Sequence, residues 1–328
     1  MDTQSHILLT GGTGFFGKAL LRHWMGLQRT GQSVPRVTLL SRNPNQFACQ
    51  YPILVEHPWL RMVQGDICDA DSLPWDTLFT HVLHAAADST AGPLLSPQQR
   101  FDQIVGGTRN MLELATACGA QRFLLTSSGG VYGAQPPGME QIPENCHTLP
   151  DPLNGANAYS IGKRMAEHLC ALYMQAHNLP IVIARCFAFV GQDLPLDVHF
   201  AIGNFIRDAM QSEFITVQGD GSPLRSYLDQ RDLAHWLSVM LFNGQAGQAY
   251  NVGADQAISI RELAHTVRDL LAPHKPVRVM GASNMTVPRH RYIPCIEKAK
   301  AALGLRITIP LGDAIRFAAS AHGAGNPR

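Results

Sequence analysis

Residues Leu9 to Gly17 read Leu-Thr-Gly-Gly-Thr-Gly-Phe-Phe-Gly. Gly12, Gly14 and Gly17 fit a G-x-G-x-x-G spacing, and Gly11, Gly14 and Gly17 fit G-x-x-G-x-x-G. The apolar run His6–Thr10 in front of them reads as a buried parallel strand. The amphipathic stretch Lys18–Met25 behind them reads as a helix. In that setting glycines permit a tight turn and close backbone approach, and the helix N-terminus faces a pyrophosphate. A Gly-rich strand–helix turn without a ligand is the competing reading, and residues further along weigh against it.

Working outward, no Asp or Glu occurs between Asp2 and Glu56. Sites that take NAD usually place a carboxylate about 20 residues past the glycines, on the ribose 2′-hydroxyl. Here the second strand, Val37–Leu40, ends in Ser41-Arg42. A carboxylate would repel a 2′-phosphate, whereas a guanidinium grips it with paired hydrogen bonds. The reading therefore favours NADP(H), with Ser41 and Arg42 as phosphate ligands. NAD(H) stays open, with Arg42 as a solvated loop residue.

A chain of 328 residues is long enough for two lobes. Its 26 Lys and Arg balance 25 Asp and Glu, a formal net charge of +1 without a basic block. That leaves no electrostatic footprint for nucleic acid or a membrane surface. The seven cysteines are scattered, without a C-x-x-C pair. Such usage suits a reducing cytoplasm, with neither a disulfide framework nor a zinc site. His81 and His84 lie three apart on an apparent strand, facing opposite sides, so no metal is expected.

The first half alternates short apolar runs with helical patterns, the signature of a doubly wound parallel sheet in the α/β class. Candidate strands are Ile7–Thr10, Val37–Leu40, Arg61–Gln64, His81–Ala85, Arg122–Ser127 and Ile181–Arg185. Candidate helices are Gly17–Met25, Pro97–Cys118 and Ala156–His177. Asp66 and Ile67, just past the third strand, are candidate adenine contacts, with a turn acid as the competing reading of Asp66. After Arg185 the texture changes to loops and short elements. The expected division is a dinucleotide-binding domain over 1–190, which 226–253 rejoins, and a smaller interleaved substrate lobe over 191–225 and 254–322. The tail 323–328 is expected to be disordered.

Tyr159-Ser160-Ile161-Gly162-Lys163 puts a tyrosine and a lysine at i and i+4 on one helix face. A free phenol, with pKa about 10, is a poor acid–base catalyst at neutral pH. A lysine one turn away favours the phenolate and is expected to draw that pKa down. Upstream, Phe123-Leu124-Leu125-Thr126 ends in Ser127-Ser128, and hydroxyls at the carboxyl end of a parallel strand lie where ligands bind.

Together these stretches resemble an extended short-chain dehydrogenase/reductase, the NAD-dependent epimerase/dehydratase family that modifies nucleotide sugars on a Rossmann fold. TGGTGFFG opens the resemblance. Val82–Ala87 (VLHAAA) is similar to the family's fourth-strand motif, whose backbone lies along the cofactor at Ala85, Ala86 and Ala87. The resemblance likewise implies cofactor contacts from Phe15 and Phe16, and SSGGVYG with YSIGK supplies the catalytic triad Ser128, Tyr159 and Lys163. In such enzymes Tyr159 moves a proton to or from the reacting oxygen while hydride moves to or from the nicotinamide. Lys163 holds the ribose and Ser128 anchors that oxygen. Gly219-Asp220-Gly221 followed by Arg225, and Arg291 further on, resemble the family's ligands for the substrate diphosphate, with Asn204 a third candidate; a local ion pair is the competing reading of the arginines, and a plain helix start that of Asn204. A homodimer is implied as well, pairing the helices near Pro97–Cys118 and Ala156–His177; their apolar positions Ile104, Met111, Leu114, Met165, Leu169 and Leu172 equally suit packing on the protein's own sheet.

Departures narrow the function. The 4,6-dehydratases of the family carry an Asp-Glu pair after the catalytic hydroxyl, where this chain has Gly129-Gly130. The Cys and His pair of 3,5-epimerising reductases has only Cys186 and His199 as loose counterparts. The expected function is a 4-ketoreductase of a 4-keto-6-deoxy sugar nucleotide. A 4-epimerase with tightly held NAD is the alternative, and a non-catalytic NADP-binding regulatory protein is the reading from another class.

Overall fold

The computed structural model describes residues 4–87, 95–198, 200–281 and 290–323. His199 and the tail 324–328 lie outside the described residues. The strands are β1 (His6–Thr10), β2 (Arg36–Ser41), β3 (Leu60–Gln64), β4 (His81–His84), β5 (Arg122–Ser128), β6 (Ile181–Cys186) and β7 (Phe189–Val190). There follow β8 (Ile215–Val217), β9 (Leu224–Arg225), β10 (Leu228–Asp229), β11 (Ala249–Val252), β12 (Ile258–Ser259), β13 (Val277–Val279) and β14 (Arg291–Tyr292). The helices are α1 (Phe15–Arg29), α2 (Pro44–Gln50), α3 (Pro52–Val55), α4 (Pro97–Ala117) and α5 (Ala158–His177). They continue with α6 (Ala201–Gln211), α7 (Gln230–Asn243), α8 (Ile260–Leu271), α9 (Glu297–Leu303) and α10 (Leu311–Gly323).

Seven strands form the main sheet in the order β11-β6-β5-β4-β1-β2-β3. The pairings from β6 through β3 are all parallel. Each strand read from the sequence is present, as are the three crossover helices, with ends shifted by a few residues. Ile7, Leu8, Leu9, Leu39, Val82, Leu83, Leu124 and Leu125 are almost wholly buried, because helices cover both faces of a parallel sheet. The chain winds outward from β1 through β2 and β3, then returns to β4 on the other side. That reversal between β1 and β4 opens a crevice at the carboxyl ends of the strands. Helix α4 starts sharply there: Ser96 and Gln99 form a capping box and Pro97 sits at the first helical position.

The chain divides into two compact units, Met1–Gly133 with Leu149–Cys186 and Ala234–Tyr250, and Ala134–Thr148 with Phe187–Leu233 and Asn251–Arg328. This places 134–148, 187–190, 226–233 and 251–253 with the second unit, where the sequence reading puts them with the first. Long-range bonds explain it. Ile142 bridges Pro294, and Asn251 Nδ2 donates to the carbonyls of Ile142 and Cys295 at 2.8 and 3.0 Å. Asp232 accepts from the Thr308 and Ile309 amides at 2.9 and 3.1 Å, tying the start of α7 to the same unit. The second unit is built on three small sheets, β10-β7, β12-β9-β14 and β13-β8.

Candidate active site

The turn after β1 is shaped by what a side chain would strike. Gly11 has φ +70°, and a Cβ there would stand 2.5 Å from the Ala85 carbonyl oxygen. At Gly17 a Cβ would meet the Gly12 Cα at 2.1 Å. Gly14, exposed, caps α1 without a side-chain hydrogen bond, and the first turn of α1 has no acidic residue. Its amides and helix dipole suit a phosphate. The Ala85 and Ala86 amides bond back to Thr10, through its carbonyl at 3.2 Å and its hydroxyl at 3.3 Å. Phe15 and Phe16 are half-buried at the start of α1, and Ala87 is half-buried past β4. The glycine cradle and the undecorated helix end fit the pyrophosphate of a dinucleotide.

Ser41 ends β2, its hydroxyl accepting from the Asn43 amide at 3.2 Å, and Arg42 is exposed beyond it. Asp66 forms a turn, with Oδ1 accepting from the Cys68 amide at 2.9 Å. Ile67 is buried against Gly107 and gives its carbonyl to Asn110 Nδ2 at 2.8 Å.

Tyr159, Lys163 and Glu167 lie four apart on α5 and so share one face. Glu167 engages Ser127 and leaves the neighbouring Ser128 hydroxyl outside that contact. The Ser127 hydroxyl donates to Glu167 Oε1 at 2.6 Å, and Arg185, paired with Ser127 across β5 and β6, clamps the same carboxylate at 2.7–3.3 Å. Arg185 also donates to the Tyr132 hydroxyl at 2.9 Å. Burial opposes the charge on Arg185, but Glu167 more than offsets it and holds the guanidinium pKa above its ordinary range. The Ser128 hydroxyl accepts from the Gly130 amide at 3.0 Å, and its nearness to the Tyr159 phenol favours the ionised form of that phenol.

Lys163 is 4% exposed, and its Nζ donates to the Thr126 carbonyl at 2.8 Å. Burial draws its pKa down to about 8. The Tyr159 phenol is raised, with burial the largest cause; the nearby Ser128 hydroxyl and the charge of Arg100 oppose it. The expectation that Lys163 draws the phenol down is therefore corrected. One ammonium donor goes to the Thr126 carbonyl, and for the phenol desolvation outweighs the neighbours that favour ionisation. Cys186, paired with Ser128 in register, is buried, and burial pushes its thiol up to about 12, the state of a core thiol.

Beneath the glycine turn, His84 Nδ1 meets the Thr10 hydroxyl at 2.7 Å and Nε2 meets the Thr108 hydroxyl at 3.3 Å. With its pKa held far below neutrality, His84 is neutral, so one ring nitrogen donates to a threonine hydroxyl and the other accepts from one. Burial, with Lys163 nearby, pushes this imidazole down to about 3, and burial with His235 nearby pushes His23 down to about 4. Both titrate near 6.5 in an unfolded chain. Below 6.5 the unfolded state binds protons that the folded state refuses, so stability is full above that pH and falls as pH drops toward 4 and then 3. The urea midpoint is expected to decrease steadily from pH 7 to pH 4.5, with a shallower slope in His84→Gln. A flat profile in the wild type overturns this account.

The three residues read as diphosphate ligands all lie in the second unit. Asn204 is half-buried in the first turn of α6. Arg225 Nη1 donates to its neighbour Leu224's carbonyl at 2.8 Å, and the guanidinium lies 5.9 Å from the centre of the Tyr292 ring. In the β9–β14 register Tyr292 pairs with Arg225, while Arg291 pairs with Leu224. Residues one apart on a strand face opposite ways, so the fold does not bring Arg225 and Arg291 side by side. Sequence reasoning also missed Glu167, Thr10, Thr108 and Arg100. No helix among the described residues is long and apolar enough to cross a membrane.

A family model described as NAD dependent epimerase/dehydratase family matches residues 7–253. UDP-glucuronic acid decarboxylase 3 of Arabidopsis thaliana is 30% identical over 312 residues, covering 94% of this chain and 86% of that protein. A dTDP-glucose 4,6-dehydratase from Streptomyces venezuelae, solved with NAD bound, superposes with a TM-score of 0.82 at 24% identity, covering 97% of each chain. RMD from Pseudomonas aeruginosa, complexed with NADPH, gives 0.76 at 23% identity, covering 97% of this chain and 98% of that one.

Proposed function

The chain belongs to the NAD dependent epimerase/dehydratase family, and from that premise we propose that it is a nucleotide-sugar oxidoreductase, a 4-ketoreductase of a 4-keto-6-deoxy sugar nucleotide. The observation that carries this reading is the space beside the catalytic hydroxyl. A Cβ on Gly130 would stand 2.7 Å from Ser160 Oγ and 3.3 Å from Ser128 Oγ. A hydroxyl therefore fills the place where an eliminating enzyme carries its extra acid or base, while Ser128, Tyr159 and Lys163 are all present. Ketone reduction needs nothing more than these three.

A nicotinamide dinucleotide, held by the glycine turn and by Ala85–Ala87, supplies the hydride when bound. Ser128 anchors the substrate carbonyl oxygen, and Tyr159 gives that oxygen its proton. Lys163 hydrogen-bonds the ribose and Thr126. Arg225, Arg291 and Asn204 are assigned to the diphosphate. Since Arg225 and Arg291 do not lie side by side, they are expected to grip different oxygens rather than fork on one. A homodimer through α4 and α5 belongs to the same reading. Ile104, Met111, Leu114 and Leu169 serve the protein's own core, whereas Met165 and Leu172 remain 37% and 46% exposed.

NADPH is assigned over NADH because Arg42, and no acid, follows β2. Arg42→Asp is expected to invert the ratio of kcat/KM for NADPH and NADH, a change of 100-fold or more from losing a bidentate phosphate contact, on the order of 3 kcal/mol. An unchanged ratio removes the assignment. The test of the function itself is nicotinamide absorbance with each cofactor against a panel of 4-keto-6-deoxy sugar nucleotides. Stoichiometric NADPH oxidation supports the ketoreductase. Interconversion of saturated sugar nucleotides without net oxidation means an epimerase, and carbon dioxide released from UDP-glucuronic acid means a decarboxylase.

A further inference from the structure

Arg100 sits one turn into α4, four residues after the cap Ser96. Helices α4 and α5 form the most extensive helix pairing of the first unit, and α4 also touches the short turn Gly155–Asn157 that leads into α5. Ile104 marks the alignment, since its side chain lies 3.4 Å from where a Gly162 Cβ would stand. One turn before Ile104 and one turn before Gly162, Arg100 and Tyr159 occupy the matching first turns of α4 and α5, and the Arg100 charge acts on the phenol. The Arg100 Nε is sealed from solvent and has no hydrogen-bond partner among the described residues. A buried donor without a partner costs stability, so it calls for an explanation in what the site does.

The groups around the phenol come from every element packed on it. Ser128 of β5 stands near it, Cys186 of β6 is a neutral thiol, and Lys163 of α5 donates to Thr126. With Lys163 drawn down to about 8, its charge is incomplete near that pH. A guanidinium keeps its charge at any working pH.

We propose that Arg100 tunes the proton donor of the reaction: its guanidinium faces Tyr159 from α4 and stabilises the phenolate left when the proton has passed to the substrate oxygen. Arg100 acts through Tyr159 and is a positioning residue, not a catalytic one. The inference rests on the proposed role of Tyr159. Arg100 is already among the few influences that favour the ionised phenol.

The test compares wild type, Arg100→Met, Arg100→Lys and Arg109→Met, an exposed arginine further along α4. Tyr159 is titrated by pH-jump ultraviolet difference absorbance, each protein being paired with its own Tyr159→Phe counterpart. No turnover is needed. Arg100→Met is expected to move the titration upward by about one pH unit, Arg100→Lys to restore most of it, and Arg109→Met to leave it in place. The melting temperature of Arg100→Met is expected to stay level or rise, since no hydrogen bond is lost. In the reducing direction the alkaline limb of kcat moves up with the titration while the plateau falls. An unmoved titration in Arg100→Met overturns the proposal, and so does an equal movement in Arg109→Met. If no sugar nucleotide is turned over, the proposed function falls while the titration still decides the role of Arg100.

Discussion

Replacing Tyr159 by phenylalanine is expected to lower kcat by about 100- to 10,000-fold, the usual contribution of a positioned acid–base group. Only one oxygen is removed. The ring packs against the apolar cluster under α4 and α5, and phenylalanine keeps that contact. Ser128 keeps its bond from the Gly130 amide. Folding and dinucleotide affinity are therefore expected to match the wild type, which fluorescence titration of the cofactor checks. The loss belongs to the transition state, about 3 to 5 kcal/mol at 1.36 kcal/mol per tenfold. A variant that binds cofactor normally and still turns over at the wild-type rate refutes Tyr159 as the proton donor.

Glu167→Ala is expected to damage stability and rate together. The wild-type carboxylate neutralises Arg185, whose side chain is 15% exposed, and holds the Ser127 hydroxyl. Removing it strands a guanidinium in a largely dry setting, a loss of about 3 kcal/mol. It also frees the end of β5, where Ser128 stands one residue on. Chemical denaturation is expected to show the stability loss, and kcat to fall because Ser128, proposed as the anchor for the reacting oxygen, is no longer fixed. Glu167→Gln, which can still accept from Ser127 but carries no charge, is expected to recover part of the rate and less of the stability. Equal denaturation midpoints for wild type and Glu167→Ala would falsify the clamp.

What could be read from the chain follows from how far apart the partners lie. The glycine turn, the buried run His6–Thr10 and the Tyr159–Lys163 pair are local patterns, and local spacing is what a sequence displays. The clamp on Ser127 joins residues 18 and 40 positions apart, and the His84 bonds span 24 and 74 positions. Nothing in the sequence marks those partners until the sheet order is known. The segment 134–148 was misplaced for the same reason, since its bonds to Asn251 bridge 107 and 109 positions. Arg225 and Arg291 were legible as residues but not as a pair, because the register of β9 and β14 sets their faces. The pull of Lys163 on Tyr159 failed on energetics rather than on place: i and i+4 adjacency holds, but burial dominates the phenol.

Residues 130 and 160 compete for one small volume beside Ser128, and this bears on how the site can diversify. A side chain introduced at 130 is admitted only as the Ser160 hydroxyl turns away or is deleted. Changes at the two positions are therefore coupled, each altering what the other costs, as expected for groups in contact. A lineage that keeps serine at 160 meets a steric toll on any first step toward a carboxylate at 130. One that has first exchanged Ser160 for alanine or glycine meets less of it, so the order of substitutions sets which chemistries lie within reach of this scaffold.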